Sequence, residues 1–260
     1  MQIKLIRNAT LVLDYGGKRL LIDPDFGVKH SRPSFTGKSP NPMVDLPLTL
    51  EQILDGVELV IVSHLHSDHF DKTAQEIIPK NLPLICQPGN DRTIREKGFL
   101  NVTPLLDQID WNGIHITLIG GHHGLGEVET QMGKVSGFVF QSPGEPILYW
   151  AGDTVLCDEV QDAIAHFQPD VIVTHSCGAT WAKPSALEER DLIVMDAAQT
   201  IEVCRLAPTS KVFAVHMEAL DHATISRLEL RNAAQEAGIT PEQLFIPADG
   251  ESVSVGVSLN

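Results

Sequence analysis

Apolar and polar residues alternate from Ile3 and then run together toward Asp25, with Asp14-Tyr15-Gly16-Gly17 interrupting the pattern between Ala9–Leu13 and Arg19–Asp23. Two apolar stretches joined by a glycine pair predict a β-hairpin. The same signals predict a second hairpin about Asn112-Gly113, between Gln108–Trp111 and Ile114–Ile119. A third is predicted about Ser142-Pro143-Gly144-Glu145, between Val135–Gln141 and Ile147–Trp150. Short apolar runs at Val57–Ser63, Leu82–Cys86, Val102–Leu106, Asp170–Thr174, Lys211–Val215 and Leu244–Ile246 read as further strands. Helical spacing of apolar positions predicts helices over 49–56, 71–78, 90–98, 157–167, 196–206 and 225–237, with Pro79 and Gly98 as stop signals. Two stretches fit neither period. One, 26–50, carries Pro33, Pro40, Pro42 and Pro47; the other is 176–191, with Trp181 and Lys183. Irregular segments this long usually serve a site or stay solvated.

Helices alternating with strand pairs in both halves predict an α/β architecture of two stacked sheets with helices outside. At 260 residues and 43% hydrophobic content the chain can bury one large core, so 1–260 is expected to form a single domain. Five of the apolar runs end in side chains that bind metals: His64/His66/Asp68/His69, His122/His123, Asp153, His175 and His216. Strand ends hold such groups rigidly, while the loops beyond them leave a position open for substrate.

The densest of these ends is Ser63-His64-Leu65-His66-Ser67-Asp68-His69. Neutral imidazole and carboxylate suit zinc and its neighbours. In a helix His64 and His66 would point about 200° apart, whereas on extended backbone positions 64, 66 and 68 share one side and 69 takes the other. A strand unravelling into this loop can therefore aim two imidazoles at one ion and Asp68 with His69 at a second.

A formal net charge of −15 argues against long nucleic acid or an anionic membrane as partner. A small anionic substrate is compatible with it, because two ions and the local cations Lys29, His30, Arg32 and Lys38 outweigh a remote negative surface. The start Met1-Gln2-Ile3-Lys4 has no basic segment leading into an apolar one, and no run of about 18 apolar residues occurs, so a cytoplasmic protein is expected. Cys86, Cys157, Cys177 and Cys204 are scattered without C-x-x-C spacing, as buried thiols in a reducing compartment would be. A homo-oligomer is compatible with this composition.

The series His64-x-His66-x-Asp68-His69 resembles the signature of the metallo-β-lactamase superfamily, and the wider sequence is similar to its branch of L-ascorbate-6-phosphate lactonases and related metal-dependent hydrolases. The resemblance implies a four-layer αββα sandwich, one or two ions between the sheet edges, and hydrolase activity. It implies that His64 and His66 hold one ion with a histidine after a later strand, that Asp68, His69 and His216 hold the second, and that Asp153 of Gly152-Asp153-Thr154 bridges them. His122 and His123 both follow Gly120-Gly121; relatives carry Gly-Gly-x-His-Gly, which points to His123.

Two divalent ions are implied, zinc first, with manganese or iron (Fe2+) accepted by the same donors. Sharing a water, they would bring its pKa toward about 7 and supply hydroxide at neutral pH. Asp68 would hold the nucleophile's hydrogen as well as bind metal. No serine or cysteine nucleophile is needed, so Cys177 reads as a small buried residue. His222, six residues past His216, is a candidate donor to a leaving group or simply a neighbour of the next helix start. His175 is a candidate cleft residue, a support for a ligand, or a packed histidine. His66 and the lack of a flavin domain depart from the flavo-diiron branch, which sets oxygen reduction aside.

The expected activity is metal-dependent hydrolysis of a small ester, lactone, amide or phosphoester, with a lactone as the sharpest version. A non-catalytic metal-binding or ligand-sensing module would show a degraded site, and here every ligand position is filled. A metal-dependent phosphodiesterase or nuclease would need a basic arm that this chain lacks. The stretches 26–50 and 176–191 are expected to select the substrate.

Overall fold

The structure is a computed structural model that describes residues 1–256. The chain opens with β1 (Gln2–Arg7), β2 (Thr10–Tyr15) and β3 (Lys18–Ile22), paired antiparallel in sequence. The β2–β3 reversal falls on Gly16 and Gly17 at φ 57° and 72°, conformations that side chains with a Cβ rarely adopt. Next come α1 (Leu50–Leu54), β4 (Leu59–Val62), α2 (Lys72–Ile77), β5 (Pro83–Cys86), α3 (Asp91–Glu96) and β6 (Asn101–Pro104). Strands β3 to β6 pair parallel, which requires crossovers that the helices supply.

The chain then enters a second sheet through β7 (Gln108–Trp111), β8 (Ile114–Ile119), α4 (Glu127–Met132), β9 (Gly137–Gln141) and β10 (Leu148–Trp150), whose strands pair antiparallel. After α5 (Asp158–Phe167), β11 (Val171–His175) adds parallel to β10. A separate hairpin, β12 (Thr180–Lys183) with β13 (Ala186–Leu192), precedes α6 (Ala197–Leu206), β14 (Lys211–Val215), α7 (Arg227–Glu236) and β15 (Leu244–Phe245). Finally β16 (Ser252–Ser254) returns to pair with β1. Among the described residues each large sheet holds seven strands, ordered β16-β1-β2-β3-β4-β5-β6 and β15-β14-β11-β10-β9-β8-β7.

Period-two alternation assigns each strand residue to a layer. Leu59 and Ile61 of β4, Val171 and Val173 of β11, and Phe213 and Val215 of β14 join one cluster between the sheets with Phe138, Phe140 and Trp150. The intervening Val60 and Val62 pack outward with Ile53, Ala74 and Ile94 of α1, α2 and α3. Ile172, Val212 and Ala214 pack outward on the other side with Val160, Val203 and Leu230 of α5, α6 and α7. The result is the αββα sandwich.

Four helices start on side-chain caps, Thr49, Asp71, Asp196 and Ser226, which satisfy otherwise orphaned N–H groups. Helix α5 starts on Cys157, whose side chain makes no cap bond. The stretch 176–191, read from sequence as irregular, contains the β12–β13 hairpin. Its strands are half-buried to exposed, so no clean alternation marks them. Helix α4 and strand β16 have no counterpart among the elements predicted from the sequence. Among the described residues, no helix is long and apolar enough to cross a membrane.

Candidate metal centre

Strands β3, β4, β8, β10, β11 and β14 run in one direction within their sheets, so their C-terminal ends gather at one edge of the sandwich. Ligands in α/β sheets bind at such edges. Ser63 and His64 follow β4, His123 follows β8, Asp153 follows β10, His175 ends β11, and His216 follows β14. His216 sits at φ 64°, a left-handed backbone that a non-glycine residue adopts only when its surroundings impose it. Its N–H donates to Asn8 O at 2.9 Å, and Asn8 Nδ2 reaches Asp68 O at 3.2 Å, so one turn residue ties both segments.

Two groups of donors result. His64, His66 and His123 place ring nitrogens within 4.8 Å of one another, and so do His69, Asp153, His175 and His216 through one ligand atom each. Asp68 joins the second group, with Oδ2 at 3.4 Å from His69 Nε2 and 3.3 Å from His216 Nε2. Asp153 stands between the groups: its Oδ2 lies 3.0 Å from His69 Nε2, 3.5 Å from His123 Nε2 and 3.8 Å from His64 Nε2.

Whether these residues fit an ion can be judged from their unmet hydrogen bonds. The Nε2 atoms of His64, His69, His175 and His216 are buried and have no aligned partner. Buried polar atoms normally find one. The opposite ring nitrogens are held: His69 Nδ1 by Asp23 Oδ2 (2.7 Å), His123 Nδ1 by Ile193 O (2.7 Å), His175 Nδ1 by Asp153 Oδ1 (2.5 Å), and His216 Nδ1 near Cys177 Sγ (3.4 Å). Ser63 Oγ donates to Asp23 at 2.6 Å, so His64 Nδ1–H donates to that hydroxyl at 2.9 Å. His64, His69, His123 and His216 are thus held through Nδ1 with Nε2 turned toward the centre, as metal-binding histidines are, whereas His175 meets Asp153 through Nδ1. The donor set fits borderline divalent ions.

Electrostatics agree with that arrangement. Burial alone would lower His69 and His216, but Asp153 outweighs it and holds both well above the ordinary histidine value. Burial, then the neighbouring His69 and His66, push His64 well below it, and burial brings His123 down to about 4. Asp68 and Asp153 lie well below the ordinary carboxylate range, because His69 and His216 outweigh their burial.

A pH dependence follows. In the metal-free protein the stability contributed by raised His69 and His216 is fully present below about pH 6.5 and is lost as pH rises through their folded values. Metal takes the same ring atoms and displaces those protons. The rise in Tm on zinc loading is therefore expected to grow with pH and to shrink in acid, measured by thermal melts of metal-free and zinc-loaded protein. A shift independent of pH would contradict the proton competition.

Above the donors lies a cavity of about 190 Å³, with His66, Ser67, Asp68, His123, Asp153 and His222 at its base and Phe35, Met132, Trp181 and Ile193 as walls. Phe35 meets Trp181 and His222 edge-on, at centroid distances of 6.4 and 5.1 Å. Its position is set by buried Asp221, which accepts from Phe35 N (3.0 Å), Thr36 N (3.1 Å), Thr36 Oγ1 (2.7 Å) and Asn41 Nδ2 (2.8 Å), and also from the Ser34 hydroxyl. The stretch 26–50 thus faces the site, but through an aromatic ring. Its cations do not: Arg32 is bound by Asp25 at 2.6 and 2.7 Å, and Lys29, His30 and Lys38 are exposed away from the cavity. Lys183 pairs with Glu189 at 2.9 Å.

His222 lines the cavity, is brought down to about 4 by burial, and keeps an unpartnered Nδ1. His175 is fully buried and absent from the cavity wall; it supports Asp153 from behind rather than facing substrate. Of the two adjacent histidines, His123 turns inward, whereas His122 turns out to Glu129 and Glu159. Sequence reasoning missed Asp23, although Leu20-Leu21-Ile22-Asp23 is a sixth apolar run ending in a ligand-type side chain.

Two sheets that deliver histidines and aspartates from their strand ends to one edge define the metallo-β-lactamase fold. A beta-lactamase superfamily domain model matches residues 18–217. UPF0173 protein YddR of Bacillus subtilis is 40% identical over 260 residues, covering 97% of this chain and 99% of the relative. The chain belongs to the beta-lactamase superfamily and is a metal-dependent hydrolase.

Among solved structures, a possible metal-dependent hydrolase from Veillonella parvula superposes with a TM-score of 0.92 at 33% identity, covering 98% of this chain and 99% of that one. The isothiocyanate hydrolase from Delia radicum gut bacteria superposes at 0.89 with 34% identity and the same coverage.

Proposed function

We propose that this hydrolase uses two divalent ions, zinc first among the candidates, to hydrolyse a small uncharged electrophile bearing an apolar substituent. His64, His66 and His123 would hold one ion, Asp68, His69 and His216 the other, and Asp153 would stand between. The observation that carries this reading is the set of buried, unpartnered Nε2 atoms of His64, His69 and His216 facing Asp153, which with Asp68 and His123 lines a cavity walled by Phe35, Met132, Trp181 and Ile193. Bound ions supply acidified water and polarise the electrophile.

The chain's own residues do the rest. Asp68, held as a carboxylate, reaches the cavity floor and accepts the attacking water's hydrogen. His222, neutral at pH 7, presents its ring N–H to the charge that develops on the substrate, an interaction strengthened by its dry setting. The aromatic pair excludes water and grips the substituent.

Among the described residues no lysine or arginine lines the cavity, so a phosphorylated or otherwise anionic substrate meets no lysine or arginine countercharge there. An isothiocyanate, the substrate class named for a 34% identical structure, is compact, neutral and apolar-substituted. Water adds to its central carbon, and the thiocarbamate formed breaks down to amine and carbonyl sulfide. A simple lactone meets the same shape and charge requirements and is the second reading.

Zinc-loaded protein is assayed against allyl isothiocyanate, γ-butyrolactone and bis(p-nitrophenyl) phosphate. Metal-dependent turnover of either uncharged substrate, with the phosphodiester far slower, is expected; preference for the phosphodiester overturns the reading. Trp181→Ala is expected to raise KM by roughly tenfold, equivalent to about 1.5 kcal/mol of lost apolar contact, with kcat little changed.

A further inference from the structure

We propose that His122, Cys157 and Glu159 form a separate, surface metal site that takes a borderline transition ion such as zinc or cobalt through one nitrogen, one sulfur and one oxygen donor. Adjacent residues on extended backbone point to opposite sides, so as His123 enters the centre, His122 leaves it. Its backbone is pinned: His122 N–H donates to Thr154 Oγ1 at 2.9 Å, and its carbonyl accepts from Val155 N at 2.9 Å. The ring is held between two helices, with Nδ1 on Glu129 of α4 and Nε2 at 3.2 Å from Glu159 Oε1 of α5. Ligand atoms of His122, Cys157 and Glu159 all lie within 4.8 Å of one another. Tetrahedral zinc, with bonds of about 2.0 Å to nitrogen or oxygen and about 2.3 Å to sulfur, spaces its donors roughly 3.3–3.7 Å apart. The nitrogen–oxygen edge, at 3.2 Å, falls just short of that range, and the sulfur lies within 4.8 Å of both donors. All three residues are partly or fully exposed, which leaves room for water to complete the coordination.

A second observation is the residue at the start of α5. Thr49, Asp71, Asp196 and Ser226 place a capping oxygen at the same position of other helices, and each makes its cap bond. Cys157 makes none and instead lies 3.6 Å from Thr154 Oγ1. Asn90 of α3 and Gly126 of α4 likewise make no cap bond, but Cys157 is the one of these three that brings a sulfur donor beside a histidine and a glutamate.

The test uses cobalt as probe on the full chain, with the purified protein first stripped by chelator and kept reduced without added thiol. The central donors are all nitrogen and oxygen, so a near-ultraviolet thiolate-to-cobalt charge-transfer band reports the surface cluster alone. The expected result is that band in the wild type, its loss in Cys157→Ser, and at least tenfold weaker cobalt binding at that band in Glu159→Gln. The visible ligand-field absorption of the centre stays unchanged in both variants. No thiolate band with cobalt in large excess, or a band that survives Cys157→Ser, overturns the proposal. Because the visible absorption reads the centre independently, failure here is distinct from failure of the dinuclear reading.

Discussion

Replacing Asp153 with alanine is expected to cost the protein at least one of its ions and to lower hydrolysis by at least about a hundredfold. That floor comes from the ten- to hundredfold losses typical when only an outer support of a metal site is removed, and Asp153 is closer than that. Its Oδ1 lies 2.5 Å from His175 Nδ1 and 3.6 Å from His216 Nε2, while its Oδ2 faces His69, His123 and His64. One carboxylate therefore faces ring nitrogens of both donor groups. Its loss also removes the charge that holds His69 and His216 in their protonated forms without metal. Removing one partner of such a buried charge pair costs about 3–5 kcal/mol, so the metal-free variant should melt lower at mildly acidic pH. Elemental analysis and steady-state kinetics check the first expectation, and a variant with full metal content and activity would contradict it.

The second large effect is expected at Asp23, which touches no substrate. Its Oδ2 accepts from His69 Nδ1 and from Ser63 Oγ, its Oδ1 accepts from Ser63 N at 2.7 Å, and Ser63 Oγ in turn orients His64. Asp23 thus sets the ring orientation of one donor in each group. Asp23→Ala is expected to weaken metal binding by about ten- to hundredfold. It also leaves a buried amide and hydroxyl unpaired, at about 1–3 kcal/mol. Asp23→Asn keeps the shape at φ 47° and tolerates that left-handed backbone, so without opening a cavity it removes the charge and one of the two accepting oxygens. Competition with a chelator measures the affinity. Wild-type affinity in Asp23→Ala would show that the histidines orient themselves.

Much of this was legible in the sequence because buried strands announce themselves. The runs at 57–62, 171–174 and 211–215 alternate between two packed faces, and each hands its last residue to the same edge. Ligand types at those ends made the centre readable before any geometry was known. The cavity wall was not readable in this way. Phe35, Met132, Trp181 and Ile193 come from separate, mostly irregular segments, and nothing local says that they meet.

The cations of 26–50 misled for a related reason. A sequence shows that Arg32 is present, but not that Asp25 already holds it. Asp23 was readable by the rule that found the others, and it was passed over because its run reads first as half of a hairpin.

Metal stoichiometry tests the central claim most directly, and it is best counted in the Cys157→Ser protein so that the surface cluster adds nothing. After reconstitution with zinc and removal of free metal, about two equivalents per chain are expected. Replacing Asp153 should lower that count, with hydrolysis of an uncharged substrate falling in step. Fewer than one equivalent in the parent protein, or activity that survives complete metal removal, would contradict the dinuclear account.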